Sequence, residues 1–446
     1  MRLHNKDIHI NPPQWIIIGF LFLIMIGTVL LLLPSSSAGP TSIGFTDALF
    51  TSVSAVCVTG LAVVSTGSDL SLFGQTVVMV LVQLGGLGFM VFGISVAILL
   101  GKVTGLKYRQ LLQTTTNSLS ARGLLRIAMI VLLFALLLEG GSTLVLTWRW
   151  HEELGLADAF YYALFHSVAA FNNAGFSLFD QSMEQFVGDP TVNLSLSTLF
   201  IVGGLGIMVI ADVYKTRNFR FLSLHSKVVL TTSAALLVFG FVALFLLELW
   251  NPASNGLSVS ERLWAAYFQS ATPRSAGFNT VDIGSMLVAS QFLIIVLMFI
   301  GASSGGTGGG IKTNTFVVLL LAMFNTFRSG NQVHAFKRTI AMETIMRALA
   351  VVVSSLAFII VATLILTVTE GINDVYFLTV LFEVVSAFST TGLSMGFTDE
   401  LSTVGKVVIM ITMFVGRLGP LALAYALTYQ QTVSRASYPK DQVLIG

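Results

Sequence analysis

Val56-Cys57-Val58-Thr59-Gly60-Leu61 closes a short apolar segment and opens onto a long one. The arrangement returns three times: as Phe171-Asn172-Asn173-Ala174-Gly175-Phe176, as Pro273-Arg274-Ser275-Ala276-Gly277-Phe278, and as Phe388-Ser389-Thr390-Thr391-Gly392-Leu393. A small or hydroxyl residue precedes every glycine, and Leu or Phe follows it. The glycines stand 115, 102 and 115 residues apart. Like segments at near-regular spacing mark internal duplication, which decides the fold before any single element does.

Outward from each glycine the chain repeats the same order. A long apolar run comes first (15–33, 124–148, 228–250, 346–369). A short mixed segment follows (45–56, 158–170, 261–271, 374–387), then the glycine. A second long run ends the unit (73–100, 192–214, 290–324, 404–429). A bilayer span needs about 20 apolar residues, and segments of roughly 10–14 suit re-entrant helices instead. The expected fold is therefore all-α and membrane-embedded, with four tandem helix–pore helix–helix repeats, eight spans and one pseudo-fourfold pore. The expected repeat boundaries are 1–107, 108–222, 223–338 (with an intramembrane loop at 301–313) and 339–446 with its C-terminal tail.

Composition agrees. Of 446 residues 55% are hydrophobic and only 10% charged, against about 25% charged in soluble domains. Mean hydropathy is +0.87. A net charge of +2 gives no footprint for nucleic acid, and a single cysteine, Cys57, excludes an internal disulfide. Residues 1–14 carry charges and Pro12-Pro13 without a small-residue cleavage site, so they read as a cytosolic lead-in and not a signal peptide. Lysines and arginines gather between the repeats and at the termini, 17 of the 23. The positive-inside rule then places both termini in the cytoplasm and makes the short segments enter from the outer face.

A helix that dips halfway into the membrane points its negative C-terminal end at the centre, which favours a cation. Non-helical backbone at that depth survives only where it lines a water-filled path. Carbonyls there can replace a cation's hydration shell. Glycine reaches φ > 0, which aims successive carbonyls inward, and leaves no side chain in the way. The candidate filter residues are Val58, Thr59, Gly60, Asn173, Ala174, Gly175, Ser275, Ala276, Gly277, Thr390, Thr391 and Gly392.

Below the filter the repeats differ. Gly301-Ala302-Ser303-Ser304-Gly305-Gly306-Thr307-Gly308-Gly309-Gly310 interrupts the second run of repeat three. Each glycine weakens a helix by about 1 kcal/mol against alanine, so this stretch is expected to break out of the helix and line the pore as a movable gate, with Lys312 facing the cytoplasmic side. A nucleotide P-loop requires G-x-x-x-x-G-K-[ST] after a strand; here Ile311 intervenes and an apolar span precedes. Where the other repeats carry a small residue, repeat four carries Arg417. An arginine at a helix centre costs about 2.5–3.5 kcal/mol on insertion scales and faces a cavity as a rule. Arg417 is expected to project toward the pore beside the glycine loop, as an electrostatic barrier and a clasp on its carbonyls. Arg274 is expected to bond backbone that supports the filter, and His166 to be a packing histidine. Glu139, Glu248 and Glu383 are intramembrane acids open to basic partners. Asp47, Asp158 and Asp374 suit the first turns of the short helices.

The fourfold pattern, the third filter (272–280) and the run Gly305-Gly306-Thr307-Gly308-Gly309-Gly310-Ile311-Lys312-Thr313 together resemble the Trk/Ktr/HKT superfamily of potassium transporters. The resemblance covers nearly the whole chain, and the length suits the bacterial Ktr membrane subunit. It implies K+ at filter backbone carbonyls and selection of potassium over sodium, since some plant sodium-selective members place Ser where Gly60 stands. It implies a gate arginine at Arg417 and a structural role for Arg274. It further implies a homodimer on a cytosolic ring of nucleotide-binding regulatory subunits (KtrA or KtrC in that family), Na+ as a candidate activator and nucleotide acting only through that partner. The basic loops 102–126 and 328–347 are the candidate docking surfaces, and the tail a candidate dimer contact. A sodium-conducting HKT-like protein, an inverted-repeat transporter with a midplane site and a membrane hydrolase are the alternatives. No covalent chemistry is expected of this sequence.

Overall fold

The computed structural model describes residues 12–39, 42–99, 121–328, 332–371 and 377–419, and these are mostly helical. The helices run α1 (Pro12–Leu31), α2 (Phe45–Val56), α3 (Leu72–Leu99), α4 (Ala121–Leu154), α5 (Leu156–Asn172), α6 (Pro190–Leu205), α7 (Ile207–Thr216), α8 (Leu224–Glu248), α9 (Val259–Ala271), α10 (Val288–Phe299), α11 (Thr313–Phe327), α12 (Met342–Thr369), α13 (Phe377–Phe388) and α14 (Thr403–Leu418). A small antiparallel hairpin, β1 (His334–Ala335) with β2 (Arg338–Thr339), joins α11 to α12.

The burial pattern is that of a protein solvated by lipid. Phe22 on α1, Leu137 on α4, Val238 on α8 and Ile360 on α12 are each more than half exposed, whereas Thr59, His166, Thr390 and Glu383 are fully buried. Apolar surface outside and polar groups inside reverse the preference of a protein in water. Among the described residues four helices are long and apolar enough to cross a membrane, α3, α4, α8 and α12, and a fifth is obtained if α6 and α7 count as one bent span. The shortfall against eight expected spans has identifiable causes. The sequence places an unbroken run at 192–214, which the structure breaks, and the run 290–324 is broken at its glycine stretch as expected. Gly206, at φ 84°, ends α6 and turns the chain through 94° into α7. A side chain there would lie 2.8 Å from the Gly305 backbone, so only glycine fits. The second break is the glycine run, which separates the 12-residue α10 from the 15-residue α11. The expected run 404–429 is described only to Gly419, whose φ of 83° and ψ of 138° nearly match those of Gly206.

The short helices sit inside the long ones and link them in a cycle. α3 packs on α5, α6 on α9 and α10 on α13, and α14 returns to pack on α2. An ion pair of 2.7 Å from Lys406 on α14 to Asp47 in the first turn of α2 reinforces that last contact. The starts of these helices are fixed locally. Ser258 and Glu261 form a reciprocal capping box on α9, and Asp189 accepts from Thr191 and Val192 at the start of α6, with Pro190 at N1. Asp158 lies in the first turn of α5. Asp374 lies outside the described residues, as do the chain termini and most of the basic loop 102–126.

Candidate ion pathway and loop gate

Three short helices end in the same way. After α2, Val58 N–H bonds the Ala55 carbonyl and Thr59 N–H the Ser54 carbonyl. Asn173 and Ala174 repeat this on Ala170 and Ala169 after α5, and Thr390 and Thr391 on Ala387 and Ser386 after α13. This is the Schellman pattern, in which the residue past the helix adopts φ > 0. Val58, Asn173 and Thr390 do so at 57°, 60° and 46°. The third segment departs, because Pro273 intervenes: Ala276 N–H reaches Thr272, yet Ser275 still has φ 73°. Two residues on, Gly60, Gly175, Gly277 and Gly392 have φ of 91°, 68°, 81° and 89°.

These four glycines meet. A methyl carbon placed on Gly60 would overlap the Ala174 carbonyl and lie 2.9 Å from the Gly175 Cα. On Gly175 it would lie 2.9 Å from the Gly277 Cα and 3.2 Å from the Ala276 oxygen. On Gly277 it would overlap the Thr391 oxygen, and on Gly392 the Thr59 oxygen, 3.1 Å from the Gly60 Cα. The contacts run from segment one to two, two to three, three to four and back to one. Each glycine thus faces the carbonyl of the residue that precedes the next glycine. Residues Val58, Thr59, Asn173, Ala174, Ser275, Ala276, Thr390 and Thr391 are buried, while Gly60, Gly175 and Gly392 retain partial exposure. Backbone carbonyls of all four segments are therefore gathered at this ring of glycines.

The glycine run lies against the same side of the ring as the helix ends. Ser303 N–H bonds Gly204 O at 3.0 Å and Thr307 N–H bonds Gly203 O at 3.1 Å, which ties the loop to the unwinding end of α6. Gly306 N–H bonds Ser303 O at 3.1 Å within the turn, and Ser303 Oγ donates to Ser304 O. Thr307 Oγ1 donates to Asn173 Oδ1 at 2.9 Å. A methyl on Gly308 would lie 2.7 Å from Ser275 Cβ, one on Gly309 would overlap Thr390, and one on Gly310 would lie 3.2 Å from Ser389 Cα. The loop closes on itself where Gly301 abuts the Gly309 carbonyl and Ile300 bridges Ile311. Gly305 takes φ 82° opposite Gly206.

Arg417 is 1% exposed. Its guanidinium donates to the Thr307 carbonyl and, at 3.1 Å, to the Gly85 carbonyl, and stands 4.5 Å from the centre of the Phe89 ring. Charge-assisted bonds and the ring face both favour the cation. Among the described residues Arg417 forms no ion pair, so its positive charge stands uncancelled beside the loop. Lys312 also holds the loop. Its Nζ turns back to donate to Gly308 O at 2.6 Å and lies 5.4 Å from the Phe89 ring centre, so it braces the loop from within. Thr307→Val keeps the side-chain volume but removes the bond to Asn173. Since one neutral bond is worth about 1 kcal/mol, we expect basal flux to rise roughly fivefold, measured as rubidium uptake per unit of membrane protein.

Other sequence expectations are revised. Arg274 makes no hydrogen bond to filter backbone among the described residues, and its buried Nε has no partner. Among the described residues none of the three acids pairs with a base. Glu139 accepts from Gln83 Nε2 at 3.0 Å and Asn172 Nδ2 at 3.4 Å. Glu248 accepts from Asn251 Nδ2 at 2.6 Å and Leu287 N–H at 3.2 Å. Glu383 accepts from Ser394 and Thr398. Cys57 is a buried free thiol beside the first filter segment. The hydrogen bonds from the loop to Gly203, Gly204 and Asn173 were not readable in advance, because the first two use backbone carbonyls, which carry no sequence signal, and the third joins side chains 134 residues apart.

Residues 11–434 match the family model described as TrkH, cation transport protein. The chain belongs to the TrkH cation transport family. It is 43% identical to Ktr system potassium uptake protein B of Bacillus subtilis over 99% of this chain and 98% of that protein. It is 42% identical to the protein of the same name from Vibrio alginolyticus over 98% of this chain and 95% of that one. The potassium/sodium uptake protein NtpJ of Enterococcus hirae is 36% identical, over 98% of both chains. Among solved structures, the crystal structure of the potassium transporter TrkH from Vibrio parahaemolyticus matches 96% of this chain and 87% of that one, with a TM-score of 0.72 at 20% identity, a likeness of fold.

Proposed function

We propose that this TrkH-family chain is the ion-translocating subunit of a potassium uptake system. In this reading four helix–pore helix–helix repeats, eight spans in all, surround one passage, with both termini in the cytoplasm. K+ exchanges its hydration shell for the carbonyls that meet at Gly60, Gly175, Gly277 and Gly392. The observation that carries this is the closed circuit of those four glycines, each against a neighbour's carbonyl. The loop 301–313, held by Arg417 and Lys312, closes the inner side and opens by local displacement. The names of the relatives, two of them potassium uptake proteins of a Ktr system, support K+ as cargo. A homodimer on a cytosolic nucleotide-binding ring of the KtrA or KtrC kind would supply control, and Na+ would act as activator.

A sodium-conducting protein is the second reading, favoured by one relative's potassium/sodium name. The glycine at position 60 speaks for potassium. The test is K+ and rubidium uptake by cells that lack their own uptake systems, with and without Na+. Saturable K+ uptake supports the proposal; acceleration by Na+ supports Na+ as activator, and no effect of Na+ removes that role alone. Na+ uptake with no K+ uptake would replace it with the second reading.

A further inference from the structure

Behind two of the four filter segments stands the same side-chain strut, built from different residues. His166 lies on α5 nine residues before Gly175, and Glu383 lies on α13 nine residues before Gly392. Each reaches the hydroxyl two residues past its own glycine. His166 Nε2 lies 3.1 Å from Ser177 Oγ, and Ser394 Oγ donates to Glu383 Oε2 at 3.0 Å. In both, the serine oxygen also accepts the N–H two residues further on, Phe179 at 2.9 Å and Gly396 at 3.1 Å. Each strut then takes a second donor from the returning chain: Leu178 N–H to His166 Nε2 at 3.2 Å, and Thr398 Oγ1 to Glu383 Oε1.

The histidine is fixed as an acceptor. Its Nδ1 lies 2.7 Å from the Tyr162 carbonyl, which can only accept, so Nδ1 carries the proton and Nε2 receives. Rings pack round it: Phe179 is stacked at 5.2 Å, Trp150 lies edge-on at 5.6 Å, and Phe278, the residue after Gly277, is at 6.3 Å. The two carboxylate oxygens of Glu383 are both occupied by hydroxyls, and the residue is fully buried.

The other two segments lack the device. Nine before Gly60 is Thr51, whose buried hydroxyl has no partner, and two after it is Ala62. Nine before Gly277 is Phe268, and two after it Asn279 bonds outward to Glu184 at 2.9 Å. In the circuit of contacts, segments two and four stand opposite each other. This strut thus occurs across one diameter of the circuit, whereas segment one is held by Ser54 Oγ, which accepts the Gly60 N–H at 3.1 Å, and segment three by Thr272 Oγ1, which donates to the Phe278 carbonyl at 2.6 Å.

We infer that His166 and Glu383 are positioning residues for the filter, which hold segments two and four through Ser177 and Ser394 and so set the opening on which cation discrimination depends. Neither touches the ion; each acts on the backbone that carries the glycine's successor residues. The inference rests on the K+-uptake reading above and deepens it.

The test is K+ uptake kinetics in cells that lack other uptake systems, with Na+ as competitor, for Ser394→Ala, Ser177→Ala, Glu383→Ala and Glu383→Gln at measured membrane amounts. Loss of a strut bond is expected to raise KM for K+ and Na+ competition roughly tenfold with kcat nearly unchanged. Glu383→Gln, whose amide oxygen still accepts, restores most of the discrimination. Glu383→Ala combined with Ser394→Ala is no worse than the more severe of the two alone, as expected for one coupled unit. The serine variants remove only a hydroxyl, so they decide the matter if Glu383→Ala fails to reach the membrane. Parental KM and Na+ competition in both serine variants, or changes confined to kcat, would overturn the inference. Absence of K+ uptake by the parental chain would instead defeat the function on which it rests.

Discussion

Gly60→Ser lowers apparent K+ affinity by on the order of 10²-fold and admits Na+. Two costs act at this position. Gly60 has φ 91°, and an L-residue held in the left-handed region costs roughly 1–2 kcal/mol. The new Cβ would overlap the Ala174 carbonyl and lie 2.9 Å from Gly175 Cα, so backbone must shift. Displacements of that kind cost about 1–3 kcal/mol. At about 1.4 kcal/mol per factor of ten, the sum is on the order of 10²-fold. The least costly relief separates segment one from segment two, because Ala174 has few directions in which to yield within its buried surroundings. A wider, less regular carbonyl ring no longer matches K+ better than Na+. K+ and Na+ uptake measured side by side checks this, and unchanged discrimination at normal membrane amounts would count against the filter.

Arg417→Ala is expected to raise basal transport about tenfold and weaken its dependence on a regulatory partner. The guanidinium holds the loop through the Thr307 carbonyl and ties it to Gly85 on α3. A bond to a charged group contributes about 1.5–3 kcal/mol. The loop keeps its bonds from Ser303 and Thr307 to α6 and from Lys312 to Gly308, so it shifts and does not unfold. The same change removes an uncancelled positive charge from the inner side of the ring. Deletion of 303–309 should act in the same direction. Rubidium uptake with and without the partner reads both, and parental rates in both variants would make the loop a passive kink.

Much of this architecture was legible because it rests on local rules. The bounds of α2 match the expected segment at both ends, since a helix of that length between polar breaks has little freedom. The glycine run had to leave the helix, and Arg417, an isolated charge in an apolar stretch, had to find acceptors. What the sequence hid depends on tertiary contact. Nothing local distinguishes Gly206 from Gly88, yet Gly206 faces the Gly305 backbone and bends its helix, while Gly88 has open space and α3 continues. Lys312 was placed on the cytoplasmic side of the loop, but its bond back to the Gly308 carbonyl depends on how the loop folds. Glu139 and Glu383 invited basic partners, because a lone acid in lipid is costly. The structure supplies amide and hydroxyl donors instead, which sequence spacing does not reveal.

The central claim is that the four glycines frame one K+-selective passage. Proteoliposomes containing the purified chain, loaded with K+ and diluted into Na+ medium, test it most directly, with Arg417→Ala beside the parental chain to relieve the gate. An interior-negative potential that follows the K+ gradient, and that Gly60→Ser abolishes, is the predicted result. A potential that follows Na+, or none in either protein when both are correctly inserted, would contradict it.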